Sequence, residues 1–295
     1  MIDPQSSIWP RWTKWKRLHP AVQFTHVSLA ETLDGGQAFR WHEEKDGQWI
    51  GLWAQNVARI RLDYSNHLEW SCPESLSKKV SLAIPSYFAA QIDFDGLISN
   101  LPYQRDPALS KALKDWKGLR VIRQPFSETL LTFLCSSNKR IIQIKQICEL
   151  LARRLGTNIV GNFYALPTWK ELGQVPEREL RYCKAGYRAR FIHETACFLR
   201  ENPKYLKRIE ILPYDEGRKL LRQLPGVGEK IADCVLLFGA GKLESFPVDT
   251  WILKTIANLY KSNLRSPKEA ALFGRQYFGK YAGVAQQYLF ASNRR

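Results

Sequence analysis

Between residues 21 and 100 the apolar positions fall in short runs that partly alternate with polar ones. AVQFTHVSL (21–29), GQWIGLW (47–53), NVARIRL (56–62) and HLEWSC (67–72) are rich in aromatic and β-branched residues. That texture predicts strands rather than helices. Asp34-Gly35-Gly36, Lys45-Asp46-Gly47 and Ser65-Asn66 supply turns between the runs. Successive short strands joined by tight turns predict an antiparallel sheet. Residues 1–20 read as an irregular, basic lead-in.

After Asn100 the period changes. Asp106 before Pro107 offers a cap followed by proline at the first helical position, so a helix is predicted through Trp116. Phe126–Cys135 is apolar on most sides and predicts a buried helix. Ile141, Ile144, Ile147 with Cys148, and Leu151 recur at helical spacing over 140–155. Thr168 with Glu171, and Ser266-Pro267-Lys268-Glu269, match capping boxes. Further helices are predicted over 178–183, 189–201, 214–224, 229–239, 249–260 and 282–290. The fold class is therefore α+β: an antiparallel β domain over 1–104, then a mostly helical domain over 105–295. The break is placed at Leu101–Arg105.

Charge changes the picture. Lys and Arg number 44 against 28 Asp and Glu, a formal net charge of +16 on 295 residues. Such an excess implies a polyanionic partner, nucleic acid first and an anionic membrane surface second. The membrane reading is the weaker, since no apolar run approaches the roughly 20 residues that a span needs. Cys72, Cys135, Cys148, Cys183, Cys197 and Cys234 show no pairing pattern, which suits free thiols in a reducing compartment. None has C-x-x-C spacing, so neither a metal nor another cofactor is expected. The first twenty residues lack the apolar core of a signal peptide. The expected location is the cytoplasm and nucleoid of a bacterium, or the nucleus of a eukaryote.

The chemistry concentrates in Leu220–Asp249, with a helical hairpin at 220–240. An apolar run ends at Leu224, Pro225-Gly226-Val227-Gly228 makes a tight turn, and a second helix opens at Glu229. Two close glycines let backbone N–H groups converge on an anion, and the helix N-terminus adds its dipole. Gly226, Val227 and Gly228 are thus candidates for holding one backbone phosphate. Lys230 lies in the first turn, where the dipole works against an ammonium, and a lysine present as the free amine is a nucleophile. Asp249 follows Pro247-Val248 and precedes an apolar helix, which reads as an N-cap. One amine and one carboxylate could face each other across the return loop.

The run LPGVGEK…PVD resembles the signature of the helix-hairpin-helix base-excision DNA glycosylases, and Lys230 resembles their lyase-competent members. DGGQAFRW (34–41), FLCSSN (133–138), AGYRAR (185–190), PGVGEKIADC (225–234), PVD (247–249) and YAGVAQQYLF (281–290) are similar, in the same order, to segments of the 8-oxoguanine DNA glycosylase family. The resemblance implies a small β domain on two helical lobes, with the active site in the cleft. It implies a single-chain enzyme on damaged duplex DNA that extrudes the lesion into a pocket. Lys230 would attack C1′, expel the base and form a Schiff base that permits β-elimination. Asp249 would stabilise the charge that develops on the sugar and could help deprotonate Lys230.

By position, the resemblance makes Cys234 and Phe290 the residues that sandwich the flipped base, and Gln286 the one that bonds its edge. Gly36 matches the residue whose carbonyl accepts from N7–H of 8-oxoguanine, a hydrogen that guanine lacks. Asn138 and Tyr187 match residues that fill and prise the stack. Asn138 and Arg188 match those that read the opposite cytosine. Gln143 stands where the eukaryotic pattern has an arginine that also reads the cytosine, Lys139 where it has an asparagine, and Trp251 where it has a histidine. A relaxed opposite-base preference is expected. A non-catalytic hairpin module that only holds DNA is the alternative; it would need neither Lys230 nor Asp249. Alkylated-base glycosylases keep the aspartate but typically lack the lysine.

Overall fold

The computed structural model describes residues 9–260, 264 and 266–294. The part of the lead-in before Trp9 lies outside the described residues. From Trp9 onward the lead-in is not wholly irregular: β1 (Lys16–Arg17) pairs with a sheet edge, and Trp12 forms an isolated bridge with Pro73.

The first expected strand divides: Gln23 forms an isolated antiparallel bridge with His67, and from His26 onward the chain is helical. In α1 (His26–Asp34) the Thr25 hydroxyl accepts from the Ser28 N–H at 3.0 Å, and the Ser28 hydroxyl accepts from the Thr25 N–H at 2.9 Å. This is a capping box with serine in place of the usual Glu or Gln, and it overrides the local strand preference. The sheet then follows as expected: β2 (Trp41–Glu43), β3 (Trp49–Trp53), β4 (Asn56–Leu62) and β5 (Leu68–Ser71). Its strand order is β1-β5-β4-β3-β2, antiparallel throughout. Two helices, α2 (Ser77–Tyr87) and α3 (Phe94–Ser99), occupy part of the region expected to be sheet. Leu18, Phe24, Trp41, Trp53, Ile60, Tyr87 and Phe88 form the core beneath the sheet.

The helices after Asn100 largely fall where the periodicity puts them. They are α4 (Pro107–Asp115), α5 (Phe126–Leu134) and α6 (Ile141–Leu155). A short hairpin of β6 (Asn158–Val160) and β7 (Phe163–Tyr164) comes next. Then follow α7 (Trp169–Leu172), α8 (Glu177–Tyr182), α9 (Arg188–Glu201), α10 (Tyr205–Ile211), α11 (Tyr214–Leu221) and α12 (Glu229–Val235). The chain ends with α13 (Thr250–Leu259), α14 (Pro267–Phe278) and α15 (Ala282–Asn293). Asp106 caps α4 and Ser266 caps α14, each accepting from the N–H three residues on. The helix expected over 229–239 changes at Val235 into a wider π turn, Leu236–Ala240. These helices share a second core, which reaches back to Phe39.

One link between the two parts of the chain lies beside Gly36. The Gln37 side chain donates to the Arg120 carbonyl at 2.8 Å and accepts from the Ile122 N–H at 3.1 Å. Farther away, the rings of Trp9 and Trp12 both meet Phe163 edge-on, at 6.4 and 6.3 Å. Arg59 and Arg61 sit over Trp12 and Trp15 at 4.1 and 4.3 Å.

Candidate active site

The hairpin α11–α12 is braced from inside. Asp233, buried on α12, accepts from Tyr214 Oη at 2.7 Å and from Arg218 Nε at 2.8 Å, both on α11. Arg218 also pairs with Glu229 at 3.4 Å. A buried carboxylate satisfied by both a hydroxyl and a guanidinium fixes the angle between the two helices. At the turn, Gly226 has φ +76, and a Cβ there would lie 2.7 Å from Phe191 Cγ. Both the dihedral and the close approach therefore require glycine. Gly228 opens α12, and the Val227 side chain is buried in the helical core. Gly226, Gly228, Lys230, Val248, Ser266 and Lys268 line one groove of about 560 Å³.

Lys230 does not point to bulk solvent. It is half-buried, its Nζ donates to Ser136 Oγ at 3.2 Å, and it sits 5.1 Å from the centroid of the Phe133 ring. The Ser136 hydroxyl in turn donates to the Phe133 carbonyl at 2.7 Å. Its proton is thereby directed away from Lys230, leaving a lone pair for the amine. Phe133 is held between Phe39 (5.3 Å) and Phe238 (5.6 Å), so the platform under Lys230 is rigid. Ser136 and Phe133 lie in the FLCSSN segment, but nothing in their local pattern marked them as neighbours of the amine.

Asp249 caps α13. Its Oδ1 accepts from the N–H groups of Trp251 and Ile252 at 3.0 and 2.8 Å, which leaves Oδ2 outside the cap. Cys234, one turn after Lys230 on α12, lies within electrostatic reach of both. Burial pushes its thiol up to about 12, with Lys230 acting to lower it and Asp249 to raise it. Amine and thiol stand one turn apart on α12, and the carboxylate caps the helix that follows the return loop.

The other expected pocket residues divide. Gln286 is buried on α15, where its Oε1 accepts from Gln287 Nε2 at 2.6 Å. Phe290 is half-buried one turn later, and the Arg294 guanidinium lies 5.4 Å from its ring centroid. Gly36 has φ +106, and its α-carbon faces Ile141 at the start of α6. Asn138 is exposed at φ +50, an uncommon backbone state for a residue other than glycine. Tyr187 is half exposed at the head of α9.

Two expected readers of the opposite base are bonded to nearby backbone groups of the protein. Arg188 is buried, with Nη2 in close contact with the Ser137 carbonyl and Nη1 donating to the Ala185 carbonyl at 3.3 Å. Its Nε has no partner among the described residues. Gln143 is exposed, and its Oε1 accepts from the Arg140 N–H at 3.1 Å as part of the α6 cap.

A braced hairpin, a half-buried lysine on its second helix and an aspartate capping the helix beyond the return loop form the arrangement of a helix-hairpin-helix DNA glycosylase. The model of the 8-oxoguanine DNA glycosylase N-terminal domain matches residues 21–130. The N-glycosylase/DNA lyase OGG1 of Arabidopsis thaliana is 30% identical over 302 residues, covering 95% of this chain and 80% of the relative. The N-glycosylase/DNA lyase of Saccharomyces cerevisiae is 30% identical over 319 residues, covering 92% and 84%. A solved 8-oxoguanine glycosylase/lyase of Clostridium acetobutylicum, in complex with duplex DNA containing cytosine opposite 8-oxoguanine, superposes with a TM-score of 0.84. It is 30% identical and covers 98% of each chain. The chain belongs to the 8-oxoguanine DNA N-glycosylase/DNA lyase family.

Proposed function

We propose that this chain excises 8-oxoguanine from duplex DNA and then cleaves the strand at the resulting site. The carrying observation is the setting of Lys230: half-buried, held by Ser136 over the Phe133 ring, one helical turn before Cys234, with Asp249 capping the helix beyond the return loop. The hairpin turn grips a phosphate, and the lesion turns out of the stack into the space flanked by Cys234, Gln286 and Phe290. The Lys230 nitrogen lone pair bonds to C1′, and the C1′–N9 pair leaves with the base. Asp249 Oδ2 faces the positive charge that builds on the sugar. Loss of a proton and ring opening give the Schiff base. Abstraction of a C2′ proton then expels the 3′-phosphate and nicks the strand. Gly36 supplies the carbonyl that accepts N7–H of the oxidised base. Both catalytic groups come from one chain, so a monomer suffices.

Borohydride trapping on an 8-oxoguanine duplex tests this reading. Wild type should yield a covalent adduct and Lys230→Gln none. An adduct of undiminished yield in the variant would remove Lys230 as nucleophile. A wild type that binds the duplex without excision or adduct would favour the hairpin module that only holds DNA.

A further inference from the structure

Gly36 can orient its carbonyl only as well as the backbone around it is held, because a glycine near φ +106 has no side chain to lock its rotation. Three neighbours supply the hold. Asp34 pairs with Lys145 of α6 at 2.8 Å, and Gln37 is bonded on both sides to the 120–122 segment. Between them stands Gly35. Its N–H donates to the Glu31 carbonyl at 2.8 Å, and its carbonyl accepts from Arg294 Nη1 at 2.9 Å. The Gly35 carbonyl and the Gly36 N–H belong to one planar peptide unit. A guanidinium bonded to that oxygen therefore sets the rotation of the plane from which Gly36 continues.

The same guanidinium has two more attachments. Arg294 Nη2 pairs with Glu31 Oε2 at 2.9 Å, where the Glu31 side chain is buried and Arg294 is about one quarter exposed. Its Cζ lies 5.4 Å from the centre of the Phe290 ring. The Arg294 N–H also donates to the Phe290 carbonyl at 3.1 Å. One side chain thus joins α1, the Gly35–Gly36 peptide and the aromatic ring on α15. These elements are some 260 residues apart in sequence, as the 259-residue separation of Gly35 and Arg294 shows. The planar fork suits this task, since it donates along two directions while presenting a flat face to a ring.

We propose that Arg294 is a positioning residue of the lesion pocket, holding the Gly36 peptide and the Phe290 ring in the mutual arrangement that receives the oxidised base. The inference rests on the reading that Gly36 and Phe290 contact that base. It separates two steps that share Lys230. Base excision needs the pocket, whereas cleavage at a preformed abasic site has no base to place. Arg294→Leu removes both donors and the flat cation; Arg294→Lys keeps the charge with a single donating head.

The test compares wild type, Arg294→Leu and Arg294→Lys under single-turnover conditions with enzyme in excess. One duplex carries 8-oxoguanine and the other a preformed abasic site. Excision by Arg294→Leu should fall about 10–100-fold, as expected when a pocket is misplaced by a fraction of an ångström to an ångström. Its abasic-site cleavage should stay within about twofold of wild type. Arg294→Lys should lie between wild type and Arg294→Leu in excision. Equal losses on both duplexes would show a merely structural residue and overturn the proposal, as would excision unchanged in Arg294→Leu. A wild type that cleaves the abasic duplex but leaves 8-oxoguanine in place would defeat the pocket reading itself, and this inference with it.

Discussion

At the scale of single residues, the opposite base is where this chain departs from the pattern it resembles. By the resemblance Gln143 stands where the eukaryotic pattern has a cytosine-reading arginine, and its amide oxygen is engaged in capping α6 through the Arg140 N–H. A neutral amide committed to a local cap cannot supply the charged, two-donor fork that an arginine offers to a base edge. Arg188 retains its guanidinium, but it bonds to the Ser137 and Ala185 carbonyls. Turning it toward a cytosine means giving up those bonds, which narrows its net gain on any base. We therefore expect weak discrimination. Excision of 8-oxoguanine opposite cytosine, adenine, guanine and thymine should differ by less than about 10²-fold, or about 2–3 kcal/mol. Single-turnover rates on the four duplexes measure this directly. A cytosine bias of 10²-fold or greater would mean that Arg188 and Asn138 read the partner without help from position 143.

At the scale of elements, the hairpin turn is the most constrained. Gly226 combines φ +76 with a Phe191 side chain already where a Cβ would go. Phe191 in turn meets the Tyr187 ring edge-on at 6.2 Å, so a shift at the turn would propagate to the residue assigned to prise the stack. Gly226→Ala should lower stability by about 1–3 kcal/mol and weaken lesion-duplex binding together. Chemical unfolding and a binding titration check the two effects, and an unchanged unfolding midpoint would refute the strain argument. This turn was legible in the sequence because Pro-Gly-x-Gly between two apolar runs admits few geometries. The strands at 49–62 and the helices at 107–115 and 141–155 were legible for the same kind of reason, a clear period with clear ends. Helix α1 was not. Its residues favour strands, and the Thr25–Ser28 cap that decides the matter uses a serine where the usual pattern has Glu or Gln. Lys230, Asp249 and Cys234 stood out through hairpin, cap and one-turn spacing. Ser136, Phe133 and Arg294 did not, because each acts through a partner about 90 to 260 positions away that only the folded chain brings near.

At the scale of the whole molecule, what matters is where the excess positive charge stands. Much of the basic content on helix surfaces is locally neutralised, as in Arg153–Glu149, Arg181–Glu177 and Arg190–Glu194. Other basic residues keep their charge free for a partner. Among the described residues no ion pair neutralises Lys139, Arg140, Lys184 or Lys268, which lie beside Asn138, near Tyr187, or in the groove with Gly226 and Gly228. Those four residues put unneutralised positive charge beside the hairpin and the candidate wedge. Phosphates neutralised there release condensed cations, and affinity then falls with salt by about 0.9 logarithmic units per phosphate per tenfold change. If at least four phosphates are met, raising salt from 50 to 200 mM should weaken binding of a lesion duplex about 10²-fold. The measurement uses Lys230→Gln, so that binding is read without turnover, and fluorescence anisotropy at several salt concentrations gives the slope. A slope shallower than about −2 would mean that the exposed lysines and arginines around the cleft do not track the backbone. Affinity would then have to come from the pocket and the inserted side chains, and undamaged duplex should bind far more weakly than lesion duplex even at low salt. A slope near −4 that is the same on damaged and undamaged DNA would instead assign the search for lesions to charge, and the choice among them to the pocket around Gly36 and Phe290.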